Sequence, residues 1–170
     1  IRRLVEQGHE VHSAYMVSGF LSVFDHDVAR YADFVRDFNS IFGLTPDQSA
    51  SIEEHIDQFL RQNNPGDIDY KEVQEIKALI RRTEAIDASR YCGLSEENIH
   101  FLNMPFYNTG QVQKSQITDA DIEVILEVLN KLKPDILFAA GDLSDPHGTH
   151  RLCLNALFSA LKRYKSAEEP

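Results

Sequence analysis

The stretch "KPDILFAAGDLSDPHGTHRLCL", residues 133–154, decides the fold. Its apolar run at residues 134–140 predicts a buried strand, and the amphipathic spacing over Thr149–Tyr164 predicts a helix. The hexapeptide Asp145–His150 joins these two elements. In α/β proteins, ligands bind beyond the carboxyl ends of parallel strands, where loops meet helix starts. The hexapeptide is therefore the first candidate for a functional site.

The rest of the chain also alternates strands with helices. The sequence indicates an α/β fold, specifically a three-layer Rossmann-like arrangement with a mostly parallel sheet, helices on both faces and a helical insert. Residues 1–8 have the pattern of a helix end closed by a glycine. Further strands are predicted at 9–17 and 99–102, and further helices at 25–42, 46–60, 70–92 and 118–133.

Composition excludes several classes of partner. The net charge of −10 argues against nucleic acid and anionic membranes, because a polyanion is repelled. The sequence has no apolar run of about 18 residues and no secretion-signal pattern, which is typical of a soluble cytoplasmic protein. Cys92 and Cys153 form no C-x-x-C pair, so a thiolate zinc site is not indicated. A nucleotide-binding domain is disfavoured because no G-x-G-x-x-G follows a strand.

The hexapeptide carries side chains suited to metal and proton chemistry. His147 and His150, beside Asp145, can divide metal binding and proton transfer between them. Gly148 lets the backbone approach a ligand closely. The alternative is a helix cap made by Thr149 or Asp145, with two solvated histidines. A catalytic zinc usually needs three protein ligands, so the remaining ligands must come from elsewhere.

The other histidines favour structural or solvated roles. They alternate within strands or lie on polar parts of helices, which is not the spacing of a ligand pair. They are His9, His12, His26, His55 and His100.

The segment after Asp25 carries an apolar stripe at helical spacing. We expect this stripe to be core. Its members are Val28, Tyr31, Phe34, Val35, Phe38 and Phe42. Alternatively, Phe34, Phe38, Phe42 and Phe59 form a lid or an interdomain surface, which their exposed area would reveal.

Three stretches, taken in order and spacing, resemble a known family. "RRLVEQGHEVHSAYMVSG" (2–19) has a basic helix ending in Gly-His-Glu-Val before a strand, and "LIRRTEAIDASRYCGLSEENIHFLNMP" (79–105) has an Arg-x-x-Glu-Ala helix. "LNKLKPDILFAAGDLSDPHGTHRLCLNAL" (129–157) opens its last helix with His-x-x-His. Together they resemble the PIG-L/LmbE-like family of zinc-dependent N-acetylglucosaminyl deacetylases.

The resemblance implies roles for the hexapeptide. His150 matches the second histidine of the family's His-x-x-His motif, which binds zinc. His147 matches the first histidine of that motif, which polarises or protonates the tetrahedral intermediate. Asp145 would orient His147, as outer carboxylates commonly do.

The resemblance also implies substrate contacts. Arg81 matches the family's substrate-contacting arginine, and Glu84 would brace it. The alternative for Arg81 and Arg82 is a solvated helix face. Ser18 and Gly19 match the active-site-facing loop that follows the family's second strand.

The sequence departs from the family pattern in two places. His147-Gly148-Thr149-His150 stands where the family usually has His-Pro-Asp-His. The family's first strand and its Ala-His-Pro-Asp-Asp motif, which provides two zinc ligands and the general base, would precede Ile1. We therefore expect residues 1–170 to be one domain that lacks its first strand, a fragment that alone neither holds zinc tightly nor catalyses.

Residues 24–80 are a longer insert than the family usually has. They most resemble the insert of glucosamine-6-phosphate deaminase-like members, in which the domain follows a sugar-phosphate isomerase-type domain. The implied function is part of a zinc-dependent de-N-acetylase acting on a small N-acetylated amino sugar or its conjugate. The alternative is a non-catalytic α/β module that binds a sugar or a partner domain.

Overall fold

The structure, a computed structural model, describes residues 1–43, 46–64, 67–109, 114–140, 144, 146 and 148–168. The chain folds into two compact units. The first unit comprises Ile1–Ser18 together with Ser89–Pro170, and the second comprises Gly19–Ala88. The fold is mixed α/β, mostly helical with a small parallel sheet. Its elements are α1 (Arg2–Glu6), β1 (Ser13–Tyr15), α2 (Asp25–Ile41), α3 (Pro46–Gln62), α4 (Lys71–Tyr91), β2 (Ile99–Phe101), α5 (Asp119–Leu132) and α6 (Thr149–Glu168), with short 3₁₀ turns at Phe20–Ser22, Glu96–Asn98 and Pro105–Tyr107.

The sheet of the first unit is a parallel pair. β1 lies beside β2 with Tyr15 opposite Phe101, and their rings stack with centroids 5.3 Å apart. The Leu102 amide donates to the Tyr15 carbonyl at 2.9 Å, which extends the ladder beyond β2. Both strands lie within the predicted stretches and are shorter than the 9–17 and 99–102 predicted.

The end of α1 sets where β1 begins. Gly8 adopts a left-handed φ of 82°. Its amide donates to the Val5 carbonyl at 2.9 Å, and the His9 amide donates to the Leu4 carbonyl at 3.1 Å. This pair of bonds is a Schellman motif, which satisfies the last carbonyls of the helix. The predicted glycine stop is confirmed.

The start of α5 is a confirmed capping box. The fully buried Asp121 carboxylate accepts the Thr118 amide at 2.8 Å and the Thr118 hydroxyl at 2.9 Å. Its other oxygen accepts the Phe106 amide at 2.8 Å. A buried carboxylate with three donors is well satisfied. Asp121 therefore ties the 3₁₀ turn at Pro105–Tyr107 to α5.

The core of the first unit lies between α5 and α6, which pack against each other. Apolar side chains on one face of each helix are buried, as the amphipathic spacing predicts. They are Ile122, Ile125 and Leu129 on α5, and Cys153, Ala156, Leu157 and Ala160 on α6. This packing holds the first turn of α6, where the hexapeptide ends.

The prediction of a buried strand at 134–140 is wrong. The segment forms no ladder, and Ile136 and Phe138 are 71% and 77% exposed. A buried strand needs neighbours for its backbone groups and both faces. Among the described residues, β1 and β2 pair only with each other. The described part therefore has a two-stranded sheet where a broad one was expected.

The second unit is a helical assembly around a small apolar cluster. α2 packs against α3, and the first turn of α4 completes the cluster. Its buried members are Val28, Ile56, Phe59 and Val73, with Ala32, Leu60 and Ile76 packed around them.

Most of the apolar stripe on α2 is exposed, so the prediction that the stripe is core is wrong. Of its six members only Val28 is buried, and Phe34 and Phe42 are 61% and 64% exposed. The row of Val28 and Ala32 faces the cluster, whereas Phe34, Phe38 and Phe42 follow another row around the helix. These three rings lie against one another, with centroids 5.9 and 4.7 Å apart.

Candidate functional site

The hexapeptide ends at the first turn of α6. Gly148 is buried, has a left-handed φ of 73° and immediately precedes the helix. The Leu152 amide donates to the Gly148 carbonyl at 2.9 Å, the first hydrogen bond of the helix. Gly148, rather than Thr149, therefore stands at the N-cap, and a left-handed φ suits glycine best. Asp145 and His147 lie outside the described residues.

His150 is the second residue of α6. Its side chain is exposed, and it follows the partly buried Thr149. A helix positions a side chain more rigidly than a loop does, so α5 and α6 together hold His150 in place. The imidazole of His150 therefore reaches solvent at the start of α6.

Zinc is the metal that the hexapeptide implies. A catalytic zinc site takes three protein ligands and an open position. Across the described ranges, no group of three or more His, Cys, Asp or Glu side chains is arranged to hold a metal. The described residues therefore do not make a three-ligand zinc site by themselves, and His150 is the one histidine of the hexapeptide among them.

Gly19 and Arg81 are brought together in the second unit. Gly19 has a φ of 73° and precedes the turn Phe20–Ser22. A Cβ at Gly19 would lie 3.4 Å from Arg81 Nε, which is van der Waals contact. Glycine here lets the loop backbone lie against the arginine side chain.

Arg81 is held on its other side by Glu84. Arg81 Nη1 donates to Glu84 Oε2 at 2.6 Å, one helical turn away. Both side chains are about half exposed, so the pair adds little to stability. Its effect is to orient a guanidinium that still reaches solvent, and an oriented guanidinium suits oxygen-rich ligands.

Ser18 has an unusual hydroxyl. Its Oγ atom is buried and lacks a hydrogen-bond partner within the described part of the chain. Leaving a buried hydroxyl unpaired costs about 1–3 kcal/mol, so such groups commonly bind a water or a ligand. The active-site-facing role that the resemblance implies for Ser18 stays a prediction.

A histidine pair that sequence reasoning rated as structural lies on the sheet of the first unit. His12 Nδ1 and His100 Nε2 are 3.0 Å apart, and Glu10 Oε1 is 3.1 Å from His12 Nε2. The sequence predicted alternating side chains along both strands, but such alternation gives no register between the strands. The contact between the two histidines was therefore missed.

The comparisons with known proteins identify the class. Residues 1–161 match the family described as GlcNAc-PI de-N-acetylase, PIG-L. The chain therefore belongs to the PIG-L family, which confirms the resemblance of the three stretches.

A relative in Bacteroides thetaiotaomicron is a glucosamine-6-phosphate deaminase-like protein. It is 46% identical to this chain over 162 residues, which is 95% of this chain and 24% of the relative. The chain thus spans about a quarter of that relative's length. No solved structure matches the chain. None of the described helices is long and apolar enough to cross a membrane.

Proposed function

We propose that this chain forms part of a de-N-acetylase that hydrolyses the acetamide of a small N-acetylated amino sugar or its conjugate. The family match over residues 1–161 carries the proposal. Amino sugars are also the theme of the relative's name, a glucosamine-6-phosphate deaminase-like protein. We propose that the intact protein also carries an isomerase-type domain and acts in the cytoplasm.

Zinc is the metal proposed for the complete site, with His150 as one ligand. The 170-residue sequence has no Ala-His-Pro-Asp-Asp motif, so two further ligands and a general base must come from another stretch of polypeptide. His147 would then polarise the developing oxyanion, with Asp145 fixing the orientation of its ring. We expect the 170 residues alone to show no deacetylase activity.

The complete domain is proposed to be a three-layer Rossmann-like fold. The family match and the parallel pairing of β1 with β2 support this proposal. Residues 1–170 would belong to this domain, with 24–80 as a helical insert. The compact unit Gly19–Ala88 supports the insert assignment.

Arg81 is proposed to bind the sugar. Its half-exposed guanidinium is oriented by Glu84 and lies against Gly19, so its remaining donors can bind hydroxyl or phosphate oxygens. Ser18, whose buried hydroxyl has no hydrogen-bond partner among the described residues, is proposed separately as a substrate contact.

The role of Arg81 is tested by substituting it in the intact full-length protein. Acetate release is measured on N-acetylglucosamine and its 6-phosphate. Arg81→Ala should lower kcat/KM about 10- to 100-fold, because it removes a charged hydrogen bond to the substrate. The matched control is Arg82→Ala, the exposed neighbour on α4, which should stay within about twofold. Equal losses in both variants would contradict the assignment.

A second candidate is a non-catalytic module that binds a sugar or a partner domain. The exposed row Phe34, Phe38 and Phe42 favours it, because soluble monomers rarely expose contiguous apolar patches unless these bind something. Saturable sugar binding without acetate release by the intact protein would establish this second function and exclude the first.

A further inference from the structure

His12 and His100 face each other across the parallel strand pair. Ala14 lies opposite His100, and residues two apart on a strand share a face, so His12 is the diagonal neighbour of His100. Their rings stack with centroids 5.2 Å apart and an interplanar angle of 28°. The sheet therefore brings two imidazole nitrogens to 3.0 Å from each other, although the two histidines are 88 residues apart in the sequence.

Glu10 determines which nitrogen of His12 carries the proton. Its carboxylate accepts the His12 Nε2–H at 3.1 Å, since an ionised carboxylate is an acceptor only. His12 Nδ1 then presents its lone pair to His100 Nε2. A carboxylate behind a histidine in this manner is the usual arrangement around metal-binding imidazoles, because it fixes the ring and raises its basicity.

We propose that His12 Nδ1 and His100 Nε2 together bind a divalent transition metal of borderline softness, such as Zn²⁺, Ni²⁺ or Cu²⁺, which imidazole favours. Two nitrogens that each lie about 2.0–2.1 Å from one metal are about 2.8–3.4 Å apart. The exact separation depends on whether the nitrogen–metal–nitrogen angle is that of square or of tetrahedral coordination. The observed 3.0 Å falls within that range, so the two nitrogens already have the separation that a shared metal requires. The neutral His100 ring moves its proton from Nε2 to Nδ1, and water completes the coordination.

Access and charge at the pair are compatible with metal binding. The His12 side chain is 21% exposed, so a hydrated ion can reach the shared nitrogens. Burial, foremost, and the neighbouring His12 and Lys131 lower the pKa of His100. Lys131 opposes a dication, and the exposed Glu10 carboxylate favours one.

The test is a Zn²⁺ titration of the untagged protein by isothermal calorimetry, in a His150→Ala background that removes the hexapeptide ligand. His12→Ala and His100→Ala should each weaken binding at least about tenfold, because losing an outer partner alone costs about 10- to 100-fold. The matched control is His9→Ala, an exposed histidine outside the pair, which should bind as the background does.

Two charge variants and one spectrum sharpen the test. Lys131→Met should strengthen Zn²⁺ binding and Glu10→Gln should weaken it. In the protein with both histidines intact, the Cε1–H resonances of His12 and His100 should shift together on addition of Zn²⁺. The proposal is overturned if neither resonance shifts, or if His9→Ala weakens binding as much as His100→Ala does. The spectrum decides the question even if a variant fails to fold.

Discussion

At the scale of single residues, Lys77 on α4 is a buried cation between two carboxylates. Its Nζ donates to Asp25 and Asp69, each at 2.7 Å, and its side chain is 7% exposed. Burial by itself lowers the pKa of Lys77, but hydrogen bonds and charge from the two carboxylates outweigh it, so the pKa is raised. The charged form therefore stabilises the folded state.

Replacing Lys77 should destabilise the protein. Lys77→Ala should lower the free energy of unfolding by about 2–4 kcal/mol in urea at pH 7, because Asp69 is left buried without its cation. Lys71→Ala, which removes an exposed lysine paired with Glu75 at 3.6 Å, should cost less than about 1 kcal/mol.

The same substitution should change how the free energy of unfolding falls at alkaline pH. A raised pKa means that the contribution of Lys77 is complete below the ordinary lysine pKa of 10.5 and is lost as pH rises through the folded-state pKa. As pH rises from the ordinary lysine pKa to the folded-state pKa, the free energy of unfolding of the wild-type protein should therefore fall more steeply than that of Lys77→Ala. If the free energies of unfolding of the two proteins fell with pH in parallel, Lys77 would not be a buried, paired cation.

Residue-level chemistry was predictable where it is local. The resemblance implied that Glu84 braces Arg81, and the two side chains, one helical turn apart, are in contact. The contact between His12 and His100, which are 88 residues apart, was not predictable, because it depends on the register between two strands.

At the scale of elements, starts and stops were predicted well. Gly8 and Gly93 both adopt positive φ after their helices, and Thr118 opens α5 as expected. These signals involve neighbours in sequence only, so they are independent of the rest of the fold.

Burial of elements was predicted less well. The segment at 134–140 and the stripe on α2 both have apolar patterns, and both are exposed. The spacing of apolar residues predicts which face of a helix or strand can be buried. Whether that face is buried depends on another element that packs against it. Within the described ranges, neither surface has such a partner.

The two phenylalanine environments in the second unit make a direct test of this point. Phe59→Ala should lower the free energy of unfolding by about 3–5 kcal/mol, because Phe59 belongs to the buried cluster. Phe34→Ala should change it by less than about 0.5 kcal/mol, because that ring is largely exposed. Chemical denaturation of both variants measures the difference, and a large loss in Phe34→Ala would mean that its row packs against something.

At the scale of the whole molecule, the sequence identified the family more completely than it predicted the site. Three stretches spread along the chain were enough for the family, and the match covers residues 1–161. The metal site depends on side chains converging from separated segments, and only His150 of the hexapeptide's three candidate residues is among those described. The proposed ligand set is therefore the central point to test.

The most direct measurement is acetate release from N-acetylglucosamine and its 6-phosphate by the intact full-length protein, together with the zinc that it retains through gel filtration. We predict about one tightly bound zinc per chain, as a catalytic site requires. His150→Ala should lose this zinc and at least about 100-fold in kcat, whereas the control His9→Ala keeps both. Full activity and zinc content in His150→Ala, or an intact protein with neither, would contradict the account.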